Sequence, residues 1–555
     1  MESESHAEGT RREERLDLSL VVFFSACLFL YAHLPAFTSP YVINDDVRQQ
    51  IFWMQQWQDP ELYAGDWLSD YARHYVPWGV QAVYRVASQV AAPLYLSKIL
   101  PGFLFVSLAL CLFSIGKLMG GRRLGWITAA VFWLMPFFMD NLAGGLSRSF
   151  AAPLLALFLY CRLTQRTRGV GLTLLLQALF IPYIFLLCAT AVLLAYGGSL
   201  IGLGHGEGQG PRFPEKPAHF FVLLLGGALV VLWYWSLNSA GYGPLVSYPE
   251  MVGRTEFSAE GRYAVLPVPS LFWELLGDPL ELIGYLRGGT VKIVAGVATC
   301  VVLAASAIHG ARRASWSSFR HHLRPFLYIA AASFLLYLAA RIFLLRLFIP
   351  SRYLTYTVNL FYCLTIAICI HGAFHKRAMN RRLLISIFLL VLVLAGIRLR
   401  GVGLYDYSAD RALYAALENT PKDALIAGHP ALMDNVLTFA RRRVPVSFEL
   451  SHPWCVGLWT RMQPRLRDFF TAYYSDEPGS VLEFANKYNI DFLVVDDRHF
   501  QSAFLDDRPF FAPFDGMIRA LVKGRERFVL LSEDVFPSMP VNDHQRLLDL
   551  RPLRH

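Results

Sequence analysis

About eleven long apolar runs constrain this chain more than any other feature. They fall at residues 18–36, 96–118, 126–139, 149–163, 170–180, 184–203, 220–237, 291–308, 326–345, 353–370 and 383–397. Runs of about 18–22 apolar residues match the hydrocarbon thickness of a bilayer. Lipid offers no partner for a backbone amide, so such segments must fold as helices. Hydrophobic residues make up 55% of the 555, outside the usual soluble range. The expected fold class is therefore a polytopic α-helical membrane protein. Residues 170–203 are too long for one span and carry Pro182-Tyr183 near their middle. Proline removes a helix hydrogen bond, which predicts two short helices meeting at a tight outer turn.

The net charge of +9 points to topology and not to nucleic acid. Arg11, Arg12 and Arg15 precede the first run, and Lys117, Arg122 and Arg123 follow the second. Arg162, Arg166 and Arg168, then Arg312, Arg313, Arg320 and Arg324, then Lys376, Arg377, Arg381 and Arg382 occupy alternate later loops. The positive-inside bias puts the N-terminus in the cytoplasm and the C-terminal region outside. The first run then reads as an uncleaved signal-anchor. Seven of eight cysteines lie in apolar runs, leaving Cys455 facing water, with no disulfide framework and no zinc spacing. The Gly-rich stretch 202–210 precedes no Lys-Ser or Lys-Thr and reads as a loop, not a phosphate cradle.

Three parts are expected: a cytoplasmic tail (1–16), a membrane domain (17–397) and an extracytoplasmic α/β domain (398–555). The first outer loop, 37–95, is long and aromatic, with helical character over 47–57 and a second surface helix near 84–91. In the first of these, Val47, Ile51 and Met54 share a stripe, and Trp53 and Trp57 suit a headgroup boundary. Outer segments near 140–148 and 238–287 follow. In the tail, 424–427, 444–447 and 492–495 read as short buried strands, with an amphipathic helix over 480–488.

Asp45-Asp46 at the start of the first outer loop is the leading candidate for chemistry. An acid at a lipid–water boundary tends toward a raised pKa and can serve as a general base. The structural alternative is helix capping: Asp46 with Gln49 three residues on fits a capping box, and Asn44 is a further cap candidate. Lys98, Arg148, Arg341 and Arg352 are candidates to hold a phosphate, with Arg346 flanking the same outward turn as Arg352. The alternative for each is snorkelling to headgroups, although a charge as deep as Arg341 usually faces a polar cavity. Asp140, Tyr353 and His74 are further candidates for substrate contact. Asp140-Asn141 beside Asp45 makes a weak site for a divalent cation such as Mg or Mn.

These features resemble the GT-C class of membrane glycosyltransferases, which take sugars from polyprenyl-linked donors. The resemblance rests on Asn44-Asp45-Asp46 directly after the first run, on Asp59-Pro60-Glu61-Leu62-Tyr63 and on Pro350-Ser351-Arg352-Tyr353. Thr420-Pro421-Lys422-Asp423-Ala424-Leu425-Ile426 and Tyr488-Asn489-Ile490-Asp491-Phe492-Leu493-Val494-Val495 resemble the outer domains of uncharacterised bacterial members. The resemblance implies Asp45, or Asp46, as the base that activates an acceptor hydroxyl, with Arg352 and Lys98 on the lipid phosphate. It also implies a bacterial inner-membrane location and a cell-envelope glycan or lipid-linked acceptor. No Trp-Trp-Asp run follows the last span, so protein N-glycosylation is not supported. Asp140-Asn141 stands where some members carry a metal-binding acidic pair. Two other readings remain open: a non-catalytic protein that binds lipid-linked sugar or scaffolds a complex, and a transporter, although no internal repeat is seen.

Overall fold

A computed structural model describes residues 2–200, 217–272, 274, 290–311, 322–374, 380–525, 527–532 and 534–554. The Gly-rich stretch 202–210 and the basic residues Arg312, Arg313, Arg320, Lys376 and Arg377 lie outside them.

Every apolar run is mainly helical where described, with breaks at His33 and at Leu134-Met135. The first span lies within Glu2–Ala32 and packs on Pro93–Trp133 and on the last span, Arg381–Leu399. Pro93–Trp133 joins two expected runs in one 41-residue element, broken where Gly120 and Gly121 leave helical geometry. Gly121 has φ +75°, a region open to glycine at little steric cost. The series continues with Ala151–Leu163, Thr167–Phe180, Pro182–Leu200, Pro217–Ser239, Thr290–Ala311, Leu323–Phe343 and Arg352–Phe374. Among the described residues, seven helices are long and apolar enough to cross a membrane. The proline break appears as expected: Ile181, at φ −152°, separates Thr167–Phe180 from Pro182–Leu200.

The charge pattern has a spatial counterpart. Arg122 donates to Asp17 through Nε (2.7 Å) and Nη2 (2.8 Å), and Lys117 pairs with Glu14 at 2.8 Å. Arg123 donates to the Phe374 carbonyl at 3.3 Å, so these basic residues gather at one end of the bundle. The acidic pair 45–46 lies beyond the far end of the first span.

The first outer loop carries four short helices: Val47–Gln50, the 3-10 turn Phe52–Trp57, Trp67–Tyr75 and Trp78–Ala87. The expected 47–57 helix is thus split, and the expected 84–91 helix begins six residues earlier, directly after Pro77. Trp53 does not face a headgroup boundary: it is 1% exposed and packs edge-on against Trp57 at 5.2 Å.

The chain after the last span is stitched back onto this loop. Strands β1 (Val42–Ile43) and β2 (Tyr405–Asp406) pair antiparallel. Farther on, β3 (Ile426–Ala427), β4 (Phe492–Asp496), β5 (Ser538–Pro540) and β6 (Gln545–Asp549) form a sheet in the order β3-β4-β6-β5. β3 and β4 run parallel, the other pairs antiparallel. Residues 444–447 form no strand; one parallel bridge, Leu425 to Arg443, is all that reaches that segment. Beside the sheet, Val456–Tyr473 packs on Pro478–Tyr488 and on Phe514–Val522 through buried aromatic side chains.

Candidate active site

Asp45 and Asp46 diverge at the start of Val47–Gln50. Asp46 occupies the N-cap position but in helical geometry, and its side chain caps nothing. Asn44 Oδ1 instead accepts from the Asp46 amide at 3.2 Å. The capping box therefore fails, and Gln49 turns away to donate to the Glu449 carbonyl (2.9 Å) and meet His452 Nε2 (2.8 Å). The Asp46 carboxylate is left to pair with Arg148 Nη1 at 2.7 Å, while Arg148 Nη2 donates to Asn44 Oδ1 at 3.1 Å. Gly144 and Gly145 permit this approach: both have positive φ, and a Cβ on Gly144 would lie 2.9 Å from Asn44 Cβ.

Asp46 lines a cavity of about 250 Å³ at the end of the bundle that carries residues 37–95. Helix termini meet there: the start of Pro182–Leu200, the end of Pro217–Ser239 and the start of Arg352–Phe374. They supply apolar walls at Leu186, Val230, Trp233 and Leu237. Three guanidinium groups join them, from Arg148, Arg346 and Arg352, and Asp46 is the sole carboxylate in the wall among the described residues. Arg352 donates to Tyr356 Oη at 3.4 Å, and neither it nor Arg346 has an ion pair with a described residue. The wall is held in an uncommon shape at Phe348, whose φ of +73° is sparsely populated for a bulky residue. Its ring stacks on Tyr183, centroids 5.0 Å apart. Such outliers persist where packing over-determines them, often beside ligand sites.

Asp45 faces the other way. It accepts from Tyr407 Oη at 2.7 Å and pairs with Arg48. Arg48 is buried and also reaches Glu449 (3.2 Å), Asp434 (4.0 Å) and Asn435 (3.0 Å). Burial opposes ionisation of Asp45, but Arg48 and the Tyr407 hydroxyl outweigh it and hold the carboxyl below its usual range. Burial pushes Asp434 and Glu449 up, and at Glu449 repulsion from Asp434 and Asp45 adds to it against Arg262 and Arg48. One guanidinium shared by three carboxylates favours ionisation of the most exposed of them. This network ties the first outer loop to the C-terminal segment.

The other expected site residues scatter. Lys98 does not reach the cavity: its ammonium donates to the carbonyls of Ala36 (2.7 Å), Ser39 (2.7 Å) and Pro40 (3.4 Å), closing the short helix Leu34–Thr38. Arg341 donates to the Pro269 carbonyl (2.8 Å) and Tyr337 Oη (2.6 Å) and lies outside the cavity lining. His74 sits against Asp70, its Nδ1 2.8 Å from the Asp70 carbonyl oxygen. Tyr353 lines the cavity with its hydroxyl donated to the Leu347 carbonyl at 2.5 Å, which fixes the turn that carries Arg352. Asp140 lies near Gly403, and its neighbour Asn141 accepts from Tyr356 Oη at 3.1 Å. Residues that sequence reasoning did not single out include Tyr75, Tyr183, Tyr263, Trp454 and Cys455, all in the cavity wall.

Asp66 anchors the helix that brings in Tyr75. Its buried carboxylate accepts from the Ser69 amide (2.8 Å) and hydroxyl (2.7 Å). Burial nevertheless pushes its pKa from 3.8 up to about 6. The folded state thus favours the protonated form, so this contribution is full below pH 3.8 and lost as pH rises through about 6. Asp66→Asn keeps a capping side chain and removes the titration. Thermal unfolding of the solubilised protein is expected to vary less between pH 4 and 7 in this variant; an unchanged pH dependence contradicts the assignment.

The fold is similar to that of solved structures of about the same helical architecture. The Archaeoglobus fulgidus oligosaccharyltransferase in complex with zinc and sulfate matches with a TM-score of 0.52 at 13% identity, over 90% of this chain and 70% of that one. Archaeoglobus fulgidus AglB with an inhibitory peptide and a dolichol-phosphate matches at 0.45 and 14% identity, over 89% and 71%. ArnT from Cupriavidus metallidurans matches at 0.41 and 12%, over 97% and 98%. No family model matches the chain, and neither does any curated protein.

The residues present do not fit a divalent cation. Asp45 and Asp46 are each committed to an arginine, and among the described residues no group of three His, Cys, Asp or Glu side chains is placed to hold a metal ion.

Proposed function

We propose that this protein is a membrane glycosyltransferase that moves a sugar from a polyprenyl-phosphate donor to an acceptor hydroxyl. The observation that carries the reading is the cavity at the end of the bundle that carries residues 37–95, with three arginines, one carboxylate and apolar helix walls. Arg346 and Arg352 hold the donor phosphate, Arg148 bridges it to Asp46, and the lipid tail runs between Leu186, Val230 and Leu237. Arginine presents a planar fork of donors suited to phosphate oxygens.

Asp46, rather than Asp45, is the base in this reading, because Asp45 is directed at Arg48 and Tyr407. Asp46 takes the acceptor's proton as the acceptor oxygen bonds to the anomeric carbon. The bond from that carbon to the phosphate oxygen breaks, and its electron pair leaves with the lipid phosphate. Attack opposite the leaving group inverts the anomeric centre. A non-catalytic sugar-lipid binder would keep the same arginines but gain nothing from Asp46.

Arg352→Ala is expected to weaken binding of undecaprenyl phosphate to the protein in nanodiscs by roughly ten- to a hundred-fold, the worth of a charge-assisted hydrogen bond. Unaltered binding removes Arg352 from the site. The reading also places the protein in a bacterial inner membrane with its N-terminus in the cytoplasm and residues 398–555 outside, acting on an envelope glycan or lipid-linked acceptor. An alkaline phosphatase fused after His555 is expected to be active in intact cells; an inactive fusion contradicts this orientation.

A further inference from the structure

The cavity has two chemically different halves. Arg346, Arg352 and the aliphatic walls come from the long helices and the turn before Arg352, and Arg148 from the 3-10 turn Ser147–Phe150. Another part of the lining comes from three segments distant in sequence: Tyr75 from the first outer loop, Tyr263 from the third, and Trp454 from the C-terminal segment. Asp46 and Gln50, from the first outer loop, line the same cavity.

This second wall is an ordered aromatic surface. Trp454 stacks on His452, with centroids 4.2 Å apart and planes 22° from parallel. His452 is fixed in turn by Tyr71 Oη at its Nδ1 (2.6 Å) and Gln49 at its Nε2 (2.8 Å). Tyr263 meets Trp454 edge to face at 4.0 Å. Its backbone is steadied by Arg262, which lies over the Phe448 ring and donates to the Phe448 carbonyl at 3.0 Å. Packing interactions account for the rings but not for their hydroxyls. Tyr75 Oη and Tyr263 Oη make no hydrogen bond to a described residue, yet both lie within electrostatic reach of Asp46 and Arg352. Gln50 leaves its amide oxygen without a donor from a described residue as well.

Aromatic faces beside unsatisfied hydroxyl and amide groups match the surface of a sugar ring, with apolar C–H faces and a rim of hydroxyls. We propose that Tyr75, Tyr263 and Trp454 form the acceptor subsite and that the acceptor group bound there is a saccharide. This rests on the glycosyltransferase reading, since the acceptor hydroxyl must come within reach of Asp46. The faces select the pyranose ring, and the phenols and Gln50 orient it so that one hydroxyl points at the carboxylate.

The test is saturation-transfer NMR on the full chain in nanodiscs, with a panel of methyl glycosides (glucose, galactose, mannose, N-acetylglucosamine) and the tripeptide Ala-Ser-Ala. Undecaprenyl phosphate binding is measured on the same samples. Ring C–H signals from at least one glycoside and none from the peptide are expected with wild type. Tyr263→Ala and Tyr75→Ala should lower the glycoside signal roughly two- to ten-fold, the range for a lost aromatic contact, while undecaprenyl phosphate still binds. Retained phosphate binding also shows that these variants fold. Tyr263→Phe keeps the face and should lose less than Tyr263→Ala. Equal glycoside signals in wild type and both alanine variants overturn the subsite, as does saturation of the peptide alone. Failure of wild type to bind undecaprenyl phosphate overturns the donor reading and the subsite with it.

Discussion

Asp46→Asn is expected to abolish sugar transfer while leaving the lipid-phosphate donor bound. General-base catalysis is worth about 10²–10⁴-fold, and the amide cannot accept the proton. The side chain keeps its shape, so Arg148 loses a charged partner but not its place beside Asn44. Asp45→Asn should behave differently. Its carboxylate lies in the Arg48 and Tyr407 network outside the cavity lining, so the substitution acts on the joint between first loop and tail. A turnover assay that separates donor binding from transfer distinguishes the two. If Asp45→Asn is dead and Asp46→Asn retains full rate, the assignment of the base is wrong.

The second large effect is on stability. Arg48→Met should destabilise the protein by about 3–5 kcal/mol, because it takes the ion-pair partner from the buried Asp434 and leaves Glu449 with Arg262 alone. Both carboxylates are nearly inaccessible, and Arg48 joins them to Asp45 on the far side of the joint. Glu449→Gln alone should cost little, since burial already disfavours its charge. The double variant Arg48→Met/Glu449→Gln should recover part of the loss, a non-additivity expected of groups in one network. Thermal unfolding of the solubilised protein reads all three. Additive losses would show that Arg48 and Glu449 do not act together.

What the sequence displayed follows from periodicity and local chemistry. The apolar runs mark themselves, so their helices, the Pro182 break and the acidic pair after the first span could be read directly, although of the eleven expected spans seven described helices are long and apolar enough to cross a membrane. Which aspartate enters the cavity could not. Adjacent residues leave a helix in different directions, and the choice depends on Arg148, about a hundred positions away. Lys98 misled for a related reason. A lysine opening a span usually snorkels or meets an anion, but here the carbonyls ending Leu34–Thr38 take all its donors.

The aromatic wall was hidden for the same cause on a larger scale. Tyr75, Tyr263 and Trp454 sit in segments with no common motif, brought together by the fold. Cys455 reads as water-facing from its neighbours, yet it is buried at the cavity edge beside Tyr71. In the tail, β5 is exposed and carries a proline, and β6 is flanked by polar residues, so neither shows the apolar pattern that marks β4.

The most direct test of the account is sugar transfer from a panel of radiolabelled polyprenyl-phosphate monosaccharides in membranes containing the protein and envelope glycan acceptors. Transfer of at least one sugar by wild type, lost in Asp46→Asn, is the expected result. No transfer from any donor, by protein that is folded and binds undecaprenyl phosphate, would contradict the enzyme and leave a lipid-phosphate binding protein in its place.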